Sequence, residues 1–135
     1  MRSLTTRLAA TGLLLLLLSA AAAAMPARAQ DQPAGDADAG RTLFTRQCVA
    51  CHAVQVGQNK VGPSLAGVYG RQSAEAPGFN FSPAMKGAGR AWNAEALDAY
   101  LADPRGSVPG TRMIYAGLKD PKQRADVIAY LATLK

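Results

Sequence analysis

Between positions 48 and 52 the chain reads Cys-Val-Ala-Cys-His, a run that holds both of its cysteines and its single histidine. In this C-x-x-C-H spacing the two thiols fall on one side of a helical turn, where both can form thioethers to the vinyl groups of one haem. The imidazole that follows reaches the iron from the same side. Other chemistries fit the run less well. A thioredoxin-like redox pair needs a preceding strand in a βαβ setting, which this sequence lacks. A zinc site needs a fourth ligand, and no further Cys or His exists. A disulfide between Cys48 and Cys51 would leave the histidine without a role. Iron in a haem has a second axial position, and two thioethers downstream of the motif, Met85 and Met113, are candidates for it. The turn pair Pro109-Gly110 loops the backbone into Met113 and favours it, whereas Met85 in Ser82-Pro83-Ala84-Met85 can equally plug an apolar core. A His/Met pair raises the potential and leaves no open coordination site, which suits a haem that carries electrons.

Positioning this run requires a scaffold, and the sequence predicts a helical one. Asp36 reads as an N-cap, with acidic Asp38 in the first turn and an apolar stripe through Leu43 and Phe44 that carries the helix to about Cys51. From His52 to Arg90, glycines and prolines recur too often for any long element. A second helix is expected over Trp92 to Ala102, with Asn93 as N-cap, Leu97, Tyr100 and Leu101 on one face, and Pro104 as its stop. Arg105 to Lys119 reads as loop. Asp120-Pro121 opens a third helix, whose stripe is Val127, Ile128, Leu131 and Leu134. No period-two alternation marks a strand. The expectation is an all-α domain of three principal helices and long loops, and loops of such length in so small a domain need something to wrap around.

The N-terminal segment has a different composition. Arg2 and Arg7 precede an apolar stretch from Leu8 to Ala24, and Ala27-Arg28-Ala29 offers a small-x-small cleavage pattern. Residues 1–29 therefore read as a cleaved signal peptide, 30–35 as a flexible tail and 36–135 as the domain. The competing reading is a retained anchor, since the uncharged run from Leu8 to Ala27 approaches the ~20 residues of a membrane-spanning helix. The full chain of 135 residues carries a formal charge of +6. Cleavage removes Arg2, Arg7 and Arg28 and leaves 12 basic against 9 acidic residues, or +3. That modest balance, with no basic helix, argues against nucleic acid. Export implies a periplasmic location.

The segments GDADAGRTLFTRQCVACH, VGPSLAGVYGR, APGFNF, PGTRMIYAGL and RADVIAYL resemble, in order and spacing, those of the class I c-type cytochromes, and the chain looks like a bacterial exported relative of mitochondrial cytochrome c. The resemblance runs from Gly35 to Leu134. It implies the cytochrome c fold around one covalent haem c, with Cys48 and Cys51 as attachment points, His52 as proximal ligand and Met113 as distal ligand. It further implies that the Pro63 carbonyl orients the His52 imidazole, with Gly62 permitting the close approach. Arg71, Trp92 and Thr111 match positions that face the haem propionates, and Tyr100 matches a tyrosine that hydrogen-bonds the distal sulfur. Gly40, Phe44, Val127 and Tyr130 match a close crossing of the first and last helices. Two positions depart from the pattern: Phe81 stands where many relatives have a propionate-binding tyrosine, and Met85 where many have asparagine.

Members of this family dock redox partners transiently through basic residues around the haem edge. Lys60, Arg105, Arg112 and Lys119 match such positions, and Arg46 lies beside another that the uncharged Gln47 occupies. The resemblance thus implies a monomeric one-electron carrier between membrane or periplasmic redox enzymes, not an enzyme, with no stable membrane insertion after cleavage. The alternatives are a haem enzyme, either a peroxidase or a gas-binding cytochrome, with an open or labile distal site, and the same carrier tethered by an uncleaved signal.

Overall fold

The computed structural model describes residues 33–135, so the signal peptide expected over 1–29 and residues 30–32 lie outside the described part. Five helices form among the described residues: α1 (Ala37–Gln47), α2 (Pro83–Gly87), α3 (Ala94–Ala102), α4 (Pro104–Ser107) and α5 (Pro121–Thr133). Each begins where a short polar side chain satisfies amides that the helix cannot. Asp36 accepts from Asp38 and Ala39, Ser82 from Met85 and Asn93 from Ala96. Asp103 accepts from Gly106, and Asp120 accepts from Lys122 and Gln123. Among the described residues the one extended pairing is an isolated bridge between Gln72 and Ala91. The domain is all-α, as expected.

Three details differ from the sequence reading. Helix α1 stops at Gln47 rather than near Cys51, because the amides of both Cys48 and Val49 turn back onto the Phe44 carbonyl, at 2.8 and 3.1 Å. The wider second bond ends the regular repeat. Helices α2 and α4 interrupt segments expected to be loop, and both open on a proline at N1 or N2, where the missing N–H costs nothing. Pro104 therefore starts a helix as well as ending one. Gly35, assigned to a flexible tail, packs against α5, where an added Cβ would overlap the Ala125 carbonyl.

Helices α1 and α5 cross at the centre of the fold. A Cβ at Gly40 would overlap the Asp126 carbonyl, so the two backbones touch there. One turn on, the rings of Phe44 and Tyr130 meet at 5.3 Å in a tilted pair. The buried Asp126 carboxylate fastens the crossing: it accepts from the Asp36 amide at 2.9 Å and from the Lys122 ammonium at 2.8 Å. These donors, the Lys122 hydrogen bond foremost, hold the Asp126 carboxyl below its ordinary value. Helix α3 joins α5 through the Arg124–Asp98 ion pair at 2.6 Å. The core between them contains Phe44, Val68, Met85, Trp92, Leu97, Tyr100, Val108, Leu118, Val127, Ile128 and Leu131.

Candidate haem site

The Cys48–His52 run leaves α1 as one hydrogen-bonded turn, in which the amides of Cys51 and His52 both donate to the Cys48 carbonyl, at 3.0 and 2.9 Å. The helix thus sets the direction of the motif and the turn sets its spacing. Both thiols are free, Cys48 half-buried and Cys51 exposed. Burial beside Cys51 pushes the Cys48 thiol up to about 11, the opposite of the depressed value that a redox-active C-x-x-C pair requires.

The His52 Nδ1 atom lies 2.8 Å from the Pro63 carbonyl oxygen. A carbonyl only accepts, so Nδ1 carries the proton and the lone pair remains on Nε2. Burial, opposed by this hydrogen bond, keeps the imidazole below its ordinary value, and the ring is neutral near pH 7. A neutral ring oriented by a carbonyl is what a metal-ligating imidazole needs. Gly62 provides the space, since a Cβ there would overlap the ring.

The same short loop holds Arg71. Its guanidinium donates to the Ala66 carbonyl at 2.7 Å and to the Ser64 carbonyl at 3.2 Å, while its Nε is buried with no partner. An unpartnered buried cationic donor is costly, and a carboxylate of a bound cofactor would satisfy it. Trp92 is anchored beside Arg71 through the Trp92 amide and Arg71 carbonyl at 2.9 Å, and its ring packs on Tyr100 at 5.1 Å. These observations fit a haem carrying two vinyls, an iron and propionates. No group of three or more His, Cys, Asp or Glu able to hold a separate metal ion occurs among the described residues.

On the distal side the structure joins Tyr100 to Thr111, hydroxyl to hydroxyl at 2.8 Å. The Tyr100 hydroxyl, expected on the Met113 sulfur, is linked to the Met113 segment through Thr111, whose Oγ1 also accepts from the Met113 amide at 3.3 Å. Thr111, expected toward the propionates, is engaged by these two bonds. Gly110 makes the turn possible with φ of 89°. The two methionines differ: Met85 is 8% exposed and sits in the core, whereas Met113 is half-buried at its margin. Phe81, which lacks a hydroxyl, packs edge-on against Phe79 at 4.8 Å.

With this geometry in view, comparison with known proteins is decisive: residues 37–135 match the cytochrome c family. The chain belongs to the cytochrome c family. It is 50% identical over 103 residues to cytochrome c2 of Rhodopila globiformis, covering 76% of this chain and 97% of that one. Against cytochrome c of Euglena viridis the identity is 48% over 101 residues, covering 75% and 99%. Among solved structures, cytochrome cH from Methylobacterium extorquens superposes with a TM-score of 0.69 at 47% identity, covering 73% of this chain and 99% of that one. The fold is therefore the cytochrome c fold, the cofactor is covalent haem c, and the function is electron transport. Cytochromes c carry electrons to and from redox partners in transient encounters rather than catalyse a reaction.

The five expected docking cations of this cytochrome c are all exposed. Lys60 donates to the Val49 carbonyl at 2.7 Å, beside the cysteines. Arg112 donates to the Asn80 carbonyl. Lys119 reaches the Ala102 carbonyl at the C-terminus of α3, at 2.8 Å, and Arg105 follows on α4. Arg46 lies in the last turn of α1. Of the four large apolar side chains exposed among the described residues, Val56 apart, three neighbour the haem motif or these cations in sequence: Val49 between the cysteines, Val61 before Gly62 and Ile114 after Met113. Sequence reasoning missed this apolar component, along with the Ser64 and Ala66 carbonyls that hold Arg71 and a hydrogen bond between Tyr115 and Gln47. The carbonyls carry no side-chain signal, and although Gln47 and Tyr115 lie in the segments GDADAGRTLFTRQCVACH and PGTRMIYAGL, nothing in either segment pairs one with the other. Among the described residues no helix is long and apolar enough to cross a membrane.

Proposed function

We propose that this cytochrome c is an exported, soluble, monomeric one-electron carrier whose haem is attached at Cys48 and Cys51 and whose iron takes His52 and Met113 as axial ligands. Residues 1–29 direct export and are removed, and the carrier works between membrane and periplasmic redox enzymes. The bound haem supplies the one-electron couple. The chain's own residues hold that couple in a fixed environment. His52, with its proton held by Pro63, offers Nε2 and keeps a single orientation. Met113 presents a thioether, a soft ligand that favours the reduced state. The Arg71 Nε and the neighbouring Trp92 receive the propionates, and Tyr100 steadies the distal loop through Thr111. Lys60, Arg105, Arg112, Lys119 and Arg46 steer acidic partner surfaces, and the small apolar contacts allow rapid release.

The observation that carries this reading is the His52–Pro63 hydrogen bond, which fixes the tautomer a ligand requires. The test is purification of the exported protein with mass and visible spectrum recorded together. The expected result is a chain beginning at Gln30 with one haem added and the weak red-edge ferric band that Met-ligated relatives display. A chain retaining Met1, or a ferric protein that lacks the band and binds carbon monoxide rapidly once reduced, overturns the corresponding part.

A further inference from the structure

Gln47 closes α1 and directly precedes Cys48, while Tyr115 lies two residues beyond Met113. The Tyr115 hydroxyl donates to Gln47 Oε1 at 2.7 Å, joining positions 68 apart in sequence. The two ends differ in how well the backbone holds them. Gln47 is helical, and the next two amides bond back onto the Phe44 carbonyl. The Tyr115 end is held by side chains. Between the Thr111 amide, bonded to Val108, and the Leu118 amide, bonded to Leu101, no amide donates a backbone-to-backbone hydrogen bond among the described residues. Ile114 in this stretch is 90% exposed, and its inward contacts come from Met113 and Tyr115, which pack on the margin of the core.

We propose that the Tyr115–Gln47 hydrogen bond is a latch that holds the Met113 segment shut against the Cys48–His52 turn. Tyr115 and Gln47 are positioning residues: neither supplies a ligand, and together they limit how often the Met113 side of the site opens. The latch joins two neutral groups, so its strength is insensitive to salt, unlike the surrounding cations. Its role toward the iron rests on the reading that Met113 is the distal ligand. Its role in holding the segment does not.

The test uses the haem-loaded protein with Tyr115→Phe, Gln47→Leu, the double variant and Gln47→Glu, which keeps an acceptor oxygen. Two readouts are taken: imidazole binding to the ferric protein, followed by loss of the red-edge band, and hydrogen exchange of the Met113 and Leu118 amides, which are hydrogen-bonded to Thr111 Oγ1 and to the Leu101 carbonyl at the two ends of the segment. Tyr115→Phe and Gln47→Leu are each expected to tighten imidazole binding and speed exchange by roughly two- to tenfold, the range of one hydrogen bond. The double variant should match either single one, and Gln47→Glu should remain near wild type. Both effects should persist unchanged at high salt. Exchange unaltered in both single variants, or effects that simply add in the double variant, overturn the latch. Should the wild-type protein lack the band, the Met113 ligation fails by itself, and the exchange measurement still decides the latch.

Discussion

The imidazole of His52 and the carbonyl of Pro63 meet at 2.8 Å in a space that exists only because residue 62 is glycine. Ring orientation, tautomer and loop path are therefore one feature. Gly62→Ala would force a methyl group into the ring, and either the ring or the loop must give way. The expected outcome is destabilisation of about 1–3 kcal/mol and a lower yield of haem-loaded protein, measured by thermal unfolding and by the ratio of haem absorbance to protein mass.

The two methionines should separate cleanly. Met113→Ala removes the thioether at the core margin, and the ferric red-edge band should disappear, the potential fall and exogenous ligands bind. Met85→Ala instead opens a cavity in the core. It should keep the band while costing about 2–5 kcal/mol of stability, read by denaturant unfolding. Interchanged results would assign the ligand to Met85.

Much of this was readable in the sequence, for physical reasons. The Asp36, Asn93 and Asp120 caps are local, each within three residues of the amide it satisfies, and all three stand where the sequence places them. The C-x-x-C-H run is equally local. What escaped depends on distant partners or on backbone groups. The exceptions are Pro83 and Pro104, which read as breakers although the preceding Ser82 and Asp103 are local N-caps that mark helix starts. Gly35 looks like tail until α5 lies against it. The Tyr100 hydroxyl meets Thr111, 11 residues away, and that contact exists only once the loop is folded. Nothing at position 47 or 115 alone announces that the two meet.

Asp126 should give the fold a signature in acid. Its folded value lies below the ordinary 3.8 because Lys122 and the Asp36 amide favour the carboxylate. A depressed folded value means stabilisation that is complete above the unfolded value and lost as pH falls through the folded one. Asp126→Asn should therefore lower the melting temperature at neutral pH, and the gap from wild type should close progressively below about pH 4. A gap that stays constant with pH would show that the contribution is packing and not charge.

Arg71 combines structural and electrostatic roles that two substitutions can divide. Its guanidinium spans the Ser64 and Ala66 carbonyls and still leaves Nε unpartnered. Arg71→Leu should cost about 1–3 kcal/mol through the orphaned carbonyls and lower the potential, because a cation near the haem favours the reduced iron. Arg71→Lys keeps the charge and loses the fork. It should recover most of the potential and little of the stability, as read by redox titration and thermal unfolding on the same samples.

Partner association should divide into a long-range and a short-range part. Lys60, Arg105, Arg112, Lys119 and Arg46 act through solvent, where the screening length is ~10 Å at 0.1 M salt and ~3 Å at 1 M. Val49, Val61 and Ile114 act only on contact. Lys60→Glu or Arg112→Glu should slow the second-order reaction with an acidic redox partner several-fold at low salt, with the difference vanishing near ~1 M. Ile114→Ser should slow it to a similar relative extent at every salt concentration, because removing an apolar contact leaves the steering field unchanged. Stopped-flow rates for the three variants across a salt series distinguish the two contributions. A charge-reversal effect that persists at high salt would move those side chains from steering into the contact itself.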